Sequence, residues 1–129
     1  MLAVDTNVVI RYLTRDEPEQ FARASALIHS EDVFVCMTVL LECEWVLRGA
    51  YRYSRDRIVN ALRAFAGLPR ITLEDPARAA TALNWFGSGM DFADALHLAA
   101  TDHCEAFVSF DRPLVSLAQR VARMPVRAP

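Results

Sequence analysis

The chain contains no lysine, and all 14 of its basic residues are arginine. That absence excludes chemistry resting on a lysine amine, such as Schiff-base formation or the lysine of a phosphate-binding loop. Cysteine is scarce: Cys36, Cys43 and Cys104 are odd in number, far apart and set among apolar neighbours. They read as reduced core residues rather than a disulfide frame or a zinc site. Glycine and proline are few and scattered, and no repeat or low-complexity tract is present. No apolar run approaches the roughly 18 residues needed to span a bilayer, and LAVD is preceded by no charged and apolar leader. A cytoplasmic protein without membrane association is expected. The formal net charge of −2 excludes a polycation that binds nucleic acid by bulk charge, so any such contact must be local.

What is present fits one domain over residues 1–129, enough to bury roughly two-thirds of the surface of the unfolded chain. The hydrophobic share of 53% exceeds that of an ordinary soluble domain and predicts a face covered by a second copy, a homodimer. Apolar and capping patterns predict strands at 2–4, 33–36, 71–73 and 106–110, with a last short strand at Val126. Helices are predicted from Asp5-Thr6-Asn7 onward, at 18–29, from a Thr38 cap to Tyr51, and from a Ser54 cap to Gly67. Others run from Pro76 to the Gly87-Ser88-Gly89 break, from Asp91 to Asp102, and from Arg112 to Arg120. This alternation predicts an α/β fold with helices on both faces of a mainly parallel sheet, whose functional crevice lies beyond the carboxyl ends of the strands.

Four acids stand in strongly apolar stretches: Asp5, Glu42, Asp94 and Asp111. An unpaired carboxylate taken out of water costs several kcal/mol, so four of them predict a neutralising cation. Asp5 and Asp111 follow strands and precede helices, where an N-capping Asp also belongs. Asp91 and Asp94 have the spacing of a capping box, and Asp91 is assigned mainly to capping. Glu42 lies too far along its helix to be a cap. Glu44 is about 200° round the same helix, so only one of the two enters the cleft, and Glu44 is expected to be the solvated one. Carboxylates within about 5 Å repel by on the order of 3 kcal/mol per pair at an effective dielectric of 20, which no fold retains for stability. Oxygen ligands select hard cations, Mg²⁺ or Mn²⁺, and such ions activate water for phosphodiester hydrolysis.

His97 shares a helix face with Asp94, as a proton shuttle, a ligand or a packed histidine. Thr6, Asn7 and Ser109 are candidate hydrogen-bonding helpers. Arg48, Arg52, Arg55 and Arg57 interleave with Tyr51 and Tyr53, either as a stacking and phosphate-binding patch for single-stranded RNA or as a solvated helix corner. Arg11, Arg15 and Arg112 are alternative phosphate contacts.

VDTNVVIRYL, TVLLECEWVLRG, DFADALHLAA and FVSFDRPL resemble, in order and spacing, the four acidic motifs of PIN-domain proteins, and most closely the small VapC-type toxins of bacterial toxin–antitoxin pairs. The resemblance covers nearly the whole chain. It implies a three-layer α/β/α sandwich, with Asp5, Glu42, Asp94 and Asp111 as metal-binding and catalytic acids and Thr6 as a polar helper. It also implies Mg²⁺- or Mn²⁺-dependent endoribonuclease activity, a homodimer, and inhibition by an antitoxin that directs a basic side chain at the acids. Many relatives carry a further Asp just beyond the fourth motif; Pro113 and Leu114 stand there instead, so that station rests on Asp111 alone.

Three rival readings are weighed against this. A phosphoryl-accepting receiver domain would need a late lysine, which is absent, and a phosphatase with Asp5 as nucleophile would want an acid where Asn7 stands. The non-enzymatic rival is a catalytically degenerate PIN-like domain that only binds RNA or protein.

Overall fold

The computed structural model describes residues 1–129. The elements run β1 (Leu2–Ala3), α1 (Thr6–Thr14), α2 (Pro18–Ser30), β2 (Val33–Val35), α3 (Met37–Gly49), α4 (Arg55–Ala66), β3 (Ile71–Leu73), α5 (Pro76–Gly87), α6 (Phe92–Ala99), β4 (Phe107–Val108), α7 (Arg112–Val121) and β5 (Val126–Arg127). This is the predicted order. The chain packs as two compact units, Met1–Pro76 and Ala77–Pro129. No helix is long and apolar enough to cross a membrane.

The first unit is built on a three-stranded sheet in the order β1-β2-β3, with β2 central and both pairings parallel. Parallel neighbours need long crossovers, and the helix pairs α1/α2 and α3/α4 supply them. Val33 and Val35 of β2 are buried on one face, and Val9, Ile28, Leu40, Leu47, Ile58 and Phe65 from the four helices complete the core. Each such side chain contributes roughly 1.5–3 kcal/mol on burial. The second unit holds the parallel pair β4-β5, with Phe107 opposite Val126 and Val108 opposite Arg127. Its core is Leu83 and Phe86 of α5, Phe92 and Leu98 of α6, and Leu114 and Ala118 of α7. The Phe86 and Phe92 rings meet edge to face with centroids 5.4 Å apart, a favourable aromatic geometry. Hydrogen-bonded pairing thus falls into two ladders, one per unit, rather than the single sheet expected.

Local chemistry accounts for most helix ends. Ser54 accepts a hydrogen bond from the Arg57 N–H, and Asp91 accepts one from the Asp94 N–H, each as predicted for an N-cap. Pro18 takes the first position of α2, where its missing N–H is harmless. The expected Thr38 cap is not used. α3 begins two residues earlier than that cap implies, its Cys36 N-cap makes no side-chain hydrogen bond, and the Met37 N–H donates instead to Oε1 of Glu74, 2.8 Å away. A carboxylate just beyond β3 thus caps a helix 37 residues earlier in the chain. α6 stops at Ala99 rather than near Asp102. The Thr101 hydroxyl donates to the Leu98 carbonyl at 3.0 Å, competing with continued helix.

Candidate metal centre

In the first unit Asp5 follows β1 and caps α1, its Oδ1 accepting from the Thr6 N–H at 2.8 Å. Thr6 is buried, and its hydroxyl is the one buried side-chain polar atom without a hydrogen-bond partner. An unmet buried hydroxyl costs roughly 1–3 kcal/mol, so its place beside Asp5 marks a position that wants a polar guest. Asn7 lies at the surface and lines a groove of about 470 Å³ between α1 and α2, together with Arg11, Gln20 and Arg23.

Glu42 is exposed on α3, and Glu44 is the buried one, 1% accessible. Glu44, expected to be the solvated acid, is thus the one of the two that turns into the core. Their opposite orientation was correct, but the inward stripe of α3 is Leu40, Cys43, Glu44 and Leu47, the helical spacing of a core face. Arg48, one turn on, satisfies Glu44 with Nε 2.9 Å from Oε2 and an Nη 3.4 Å from Oε1. The i, i+4 spacing of Glu44 and Arg48 was the available signal. Between the two acids Cys43 is buried. Burial first, then the charges of Glu42 and Asp5, push its thiol up to about 12, so it stays protonated at neutral pH. Both carboxylates therefore act on the same buried sulfur.

The second unit holds the other two acids. Asp111 follows β4 and caps α7, Oδ1 accepting from the Leu114 N–H at 3.0 Å, while its own N–H donates to Ser109 Oγ at 3.0 Å. Ser109 thus holds the backbone of Asp111 rather than its carboxylate. Asp94 sits half-buried in the first turn of α6, and its pKa is raised, by burial first and then by the negative charges of Asp91 and Asp111. His97, one turn on and exposed, opposes that rise. A half-buried carboxylate crowded by two others is short of positive charge, the electrostatic condition a cation relieves.

Asp5, Glu42 and Asp111 are exposed and only Asp94 is partly buried, so the expectation that all four suffer desolvation is corrected. Apolar neighbours in sequence turned inward while the acids faced out. No group of three or more His, Cys, Asp or Glu side chains is gathered ready to hold a metal ion. The donor set itself fits a hard dication: carboxylate oxygens and an orphaned hydroxyl beside Asp5.

Tyr51, Tyr53, Arg48 and Arg57 of the arginine-tyrosine stretch are engaged internally. The Tyr51 hydroxyl donates to Asp16 at 2.6 Å, lowering the pKa of that carboxyl, with Thr14 and Arg11 adding to the effect. Arg57 stacks over Tyr53 at 3.7 Å, and Arg48 holds Glu44. These contacts favour a packed corner over a free stacking surface. Arg11 is likewise engaged, with Gln20, Asp16 and Tyr51, and Arg15 lies over the Phe21 ring.

No curated protein matches the chain. The PIN domain family does match, over residues 2–119, a span that runs through both compact units and includes all four acids; the chain belongs to the PIN domain family, with its α/β/α fold class.

Proposed function

We propose that this chain is a Mg²⁺- or Mn²⁺-dependent endoribonuclease of the VapC type, the toxin of a toxin–antitoxin pair. The PIN domain is generally a nuclease fold, and the observation that carries the finer reading is the set of acids at strand ends. Asp5 and Asp111 stand two and three residues beyond β1 and β4 as helix caps, and Asp94 lies within the electrostatic reach of Asp111. The two units act, in this reading, as one PIN-like domain over residues 1–129.

Asp5, Glu42, Asp94 and Asp111 would hold the cation, with Asp5 and Asp94 as its principal ligands. When bound, a hard dication of this kind supplies an acidified water and charge stabilisation for the leaving oxygen. The chain's own residues do the rest. Asp5 is held in place by the Thr6 N–H, and the free Thr6 hydroxyl is available to orient a ligand at that carboxylate. Asp111 is held by its bond from the Leu114 N–H. Glu42, exposed and one residue from the neutral Cys43 thiol, completes the shell or accepts a proton from water. No covalent nucleophile is required.

A cytoplasmic homodimer and a small antitoxin belong to the same proposal. Trp45, 65% exposed on α3, and Val121, Leu2 and Met1 offer apolar surface for such partners. The test is incubation of the purified chain with RNA. Cleavage that requires Mg²⁺ or Mn²⁺ and stops with EDTA is expected. Metal-independent cleavage, or RNA binding without cleavage at any divalent concentration, would instead identify a contaminant or a degenerate binding module.

A further inference from the structure

Phe110 is 86% exposed, the most accessible of the large hydrophobic side chains. It stands one residue before Asp111 and two before Arg112, which is also exposed. Strand β4 was expected to reach Phe110 but ends at Val108, which leaves this ring beyond the ladder. Single apolar residues at a surface are ordinary. This one differs in how its backbone is held.

On one side the Ser109 N–H donates to the Arg127 carbonyl at 3.1 Å. On the other the Asp111 N–H donates to Ser109 Oγ at 3.0 Å, and the Asp111 carboxylate accepts from the Leu114 N–H at 3.0 Å. The ring therefore projects from a fixed support rather than a loose loop. A pre-ordered group loses little freedom when it binds something. Its surroundings choose the guest. Asp111 and, within the same unit, Asp94 and Asp91 form an acidic neighbourhood, and covering it with an apolar protein surface would strip water from carboxylates at high cost. A nucleobase stacks on a phenyl face while leaving the neighbouring groups wet, and a guanidinium two residues on suits the adjoining phosphate.

We infer that Phe110 is a stacking platform for an unpaired nucleobase next to Asp111, a positioning residue for the RNA strand. In a duplex the bases are already stacked and paired, so the platform finds no partner there. The inference deepens the nuclease reading and rests on it. Phe110 acts as a positioning residue through its flat face, so tyrosine should replace it and alanine should not.

The test uses the full chain, a random-sequence single-stranded RNA 12-mer and the same strand in a duplex, with Mn²⁺. For the single strand, Phe110→Ala is expected to raise KM about 10- to 100-fold with little change in kcat, as loss of one stacked base implies. Phe110→Tyr is expected to stay within about 3-fold of the parent, and any slow duplex cleavage to be unaffected by either change. An unchanged KM in Phe110→Ala overturns the inference while leaving the nuclease reading intact. An equal loss on both RNAs overturns it as well, and so does a change in light-scattering mass with KM unmoved, which would make the ring a protein contact. If the parent chain cleaves nothing, the nuclease reading fails by itself. Fluorescence anisotropy of the labelled 12-mer on Asp5→Asn, with and without Phe110→Ala, then decides: Phe110-dependent binding sustains the platform, and equal or absent binding overturns it.

Discussion

Asp94→Asn is expected to lower metal-dependent RNA cleavage by about 10²–10³-fold, the usual loss on removing one preorganised electrostatic group, while leaving the fold intact. The substitution keeps the shape of the side chain and the backbone N–H that Asp91 accepts, so α6 retains its cap. Its effect on stability has the opposite sign to its effect on activity. Burial and the Asp91 and Asp111 charges raise the Asp94 pKa, so the folded protein holds that proton more tightly than the unfolded chain does. Ionisation of Asp94 then weakens the fold as pH rises through the folded value, and the penalty is absent below the unfolded value near 3.9. Without divalent cation, Asp94→Asn should melt above the parent at pH 7, and the difference should shrink toward pH 3. Thermal melting across that range, paired with cleavage assays, checks both halves. Undiminished cleavage by the variant would remove Asp94 from the reaction.

Arg48→Met is expected to destabilise the protein by about 2 kcal/mol, or roughly 6–10 °C in Tm for a chain of this length. Glu44 is 1% accessible and its two oxygens face Arg48 at 2.9 and 3.4 Å, so removal of the guanidinium strands a buried carboxylate. Breaking a fully buried pair typically costs 3–5 kcal/mol, and the figure is reduced here because the Arg48 side chain is about half exposed. Glu44→Gln combined with Arg48→Met should recover more than half of the loss, since an amide leaves no stranded charge. Denaturant melts of the two variants measure this. A double variant no more stable than Arg48→Met would show that Arg48 acts through packing rather than through Glu44. Glu42 and Glu44 share α3, so the pair also anchors the helix that carries a candidate ligand.

The order of elements was legible because each relied on local rules. Val33–Val35 and Ile71–Leu73 are β-rich runs between capped helices, and Ser54, Asp91 and Asp111 cap where short polar residues precede apolar periods. The miss at α3 has a nonlocal cause, since Glu74 takes the place of a Thr38 cap from beyond β3. The reversal of Glu42 and Glu44 is of another kind: the stripe Leu40, Cys43, Glu44, Leu47 was present in the sequence, but an acid on it was assumed to face water. The accessibility of Asp5, Glu42 and Asp111 follows from the same lesson, because apolar neighbours in sequence do not bury a side chain on the opposite face of its helix or at a cap. The arginine-tyrosine corner was ambiguous as sequence, and it resolves through the tertiary partners Asp16 and Glu44. The resemblance to PIN-domain proteins, carried by four short motifs, extends to the family itself.

The proposed nuclease activity depends on Asp5, Glu42, Asp94 and Asp111 binding a hard cation. Isothermal titration of Mn²⁺ into the parent chain and into Asp5→Asn, Glu42→Gln, Asp94→Asn and Asp111→Asn tests this most directly. Saturable binding is expected in the parent, with an affinity loss of about tenfold or more in every variant. Binding that survives all four substitutions unchanged, or a parent chain that takes up no Mn²⁺, would contradict it.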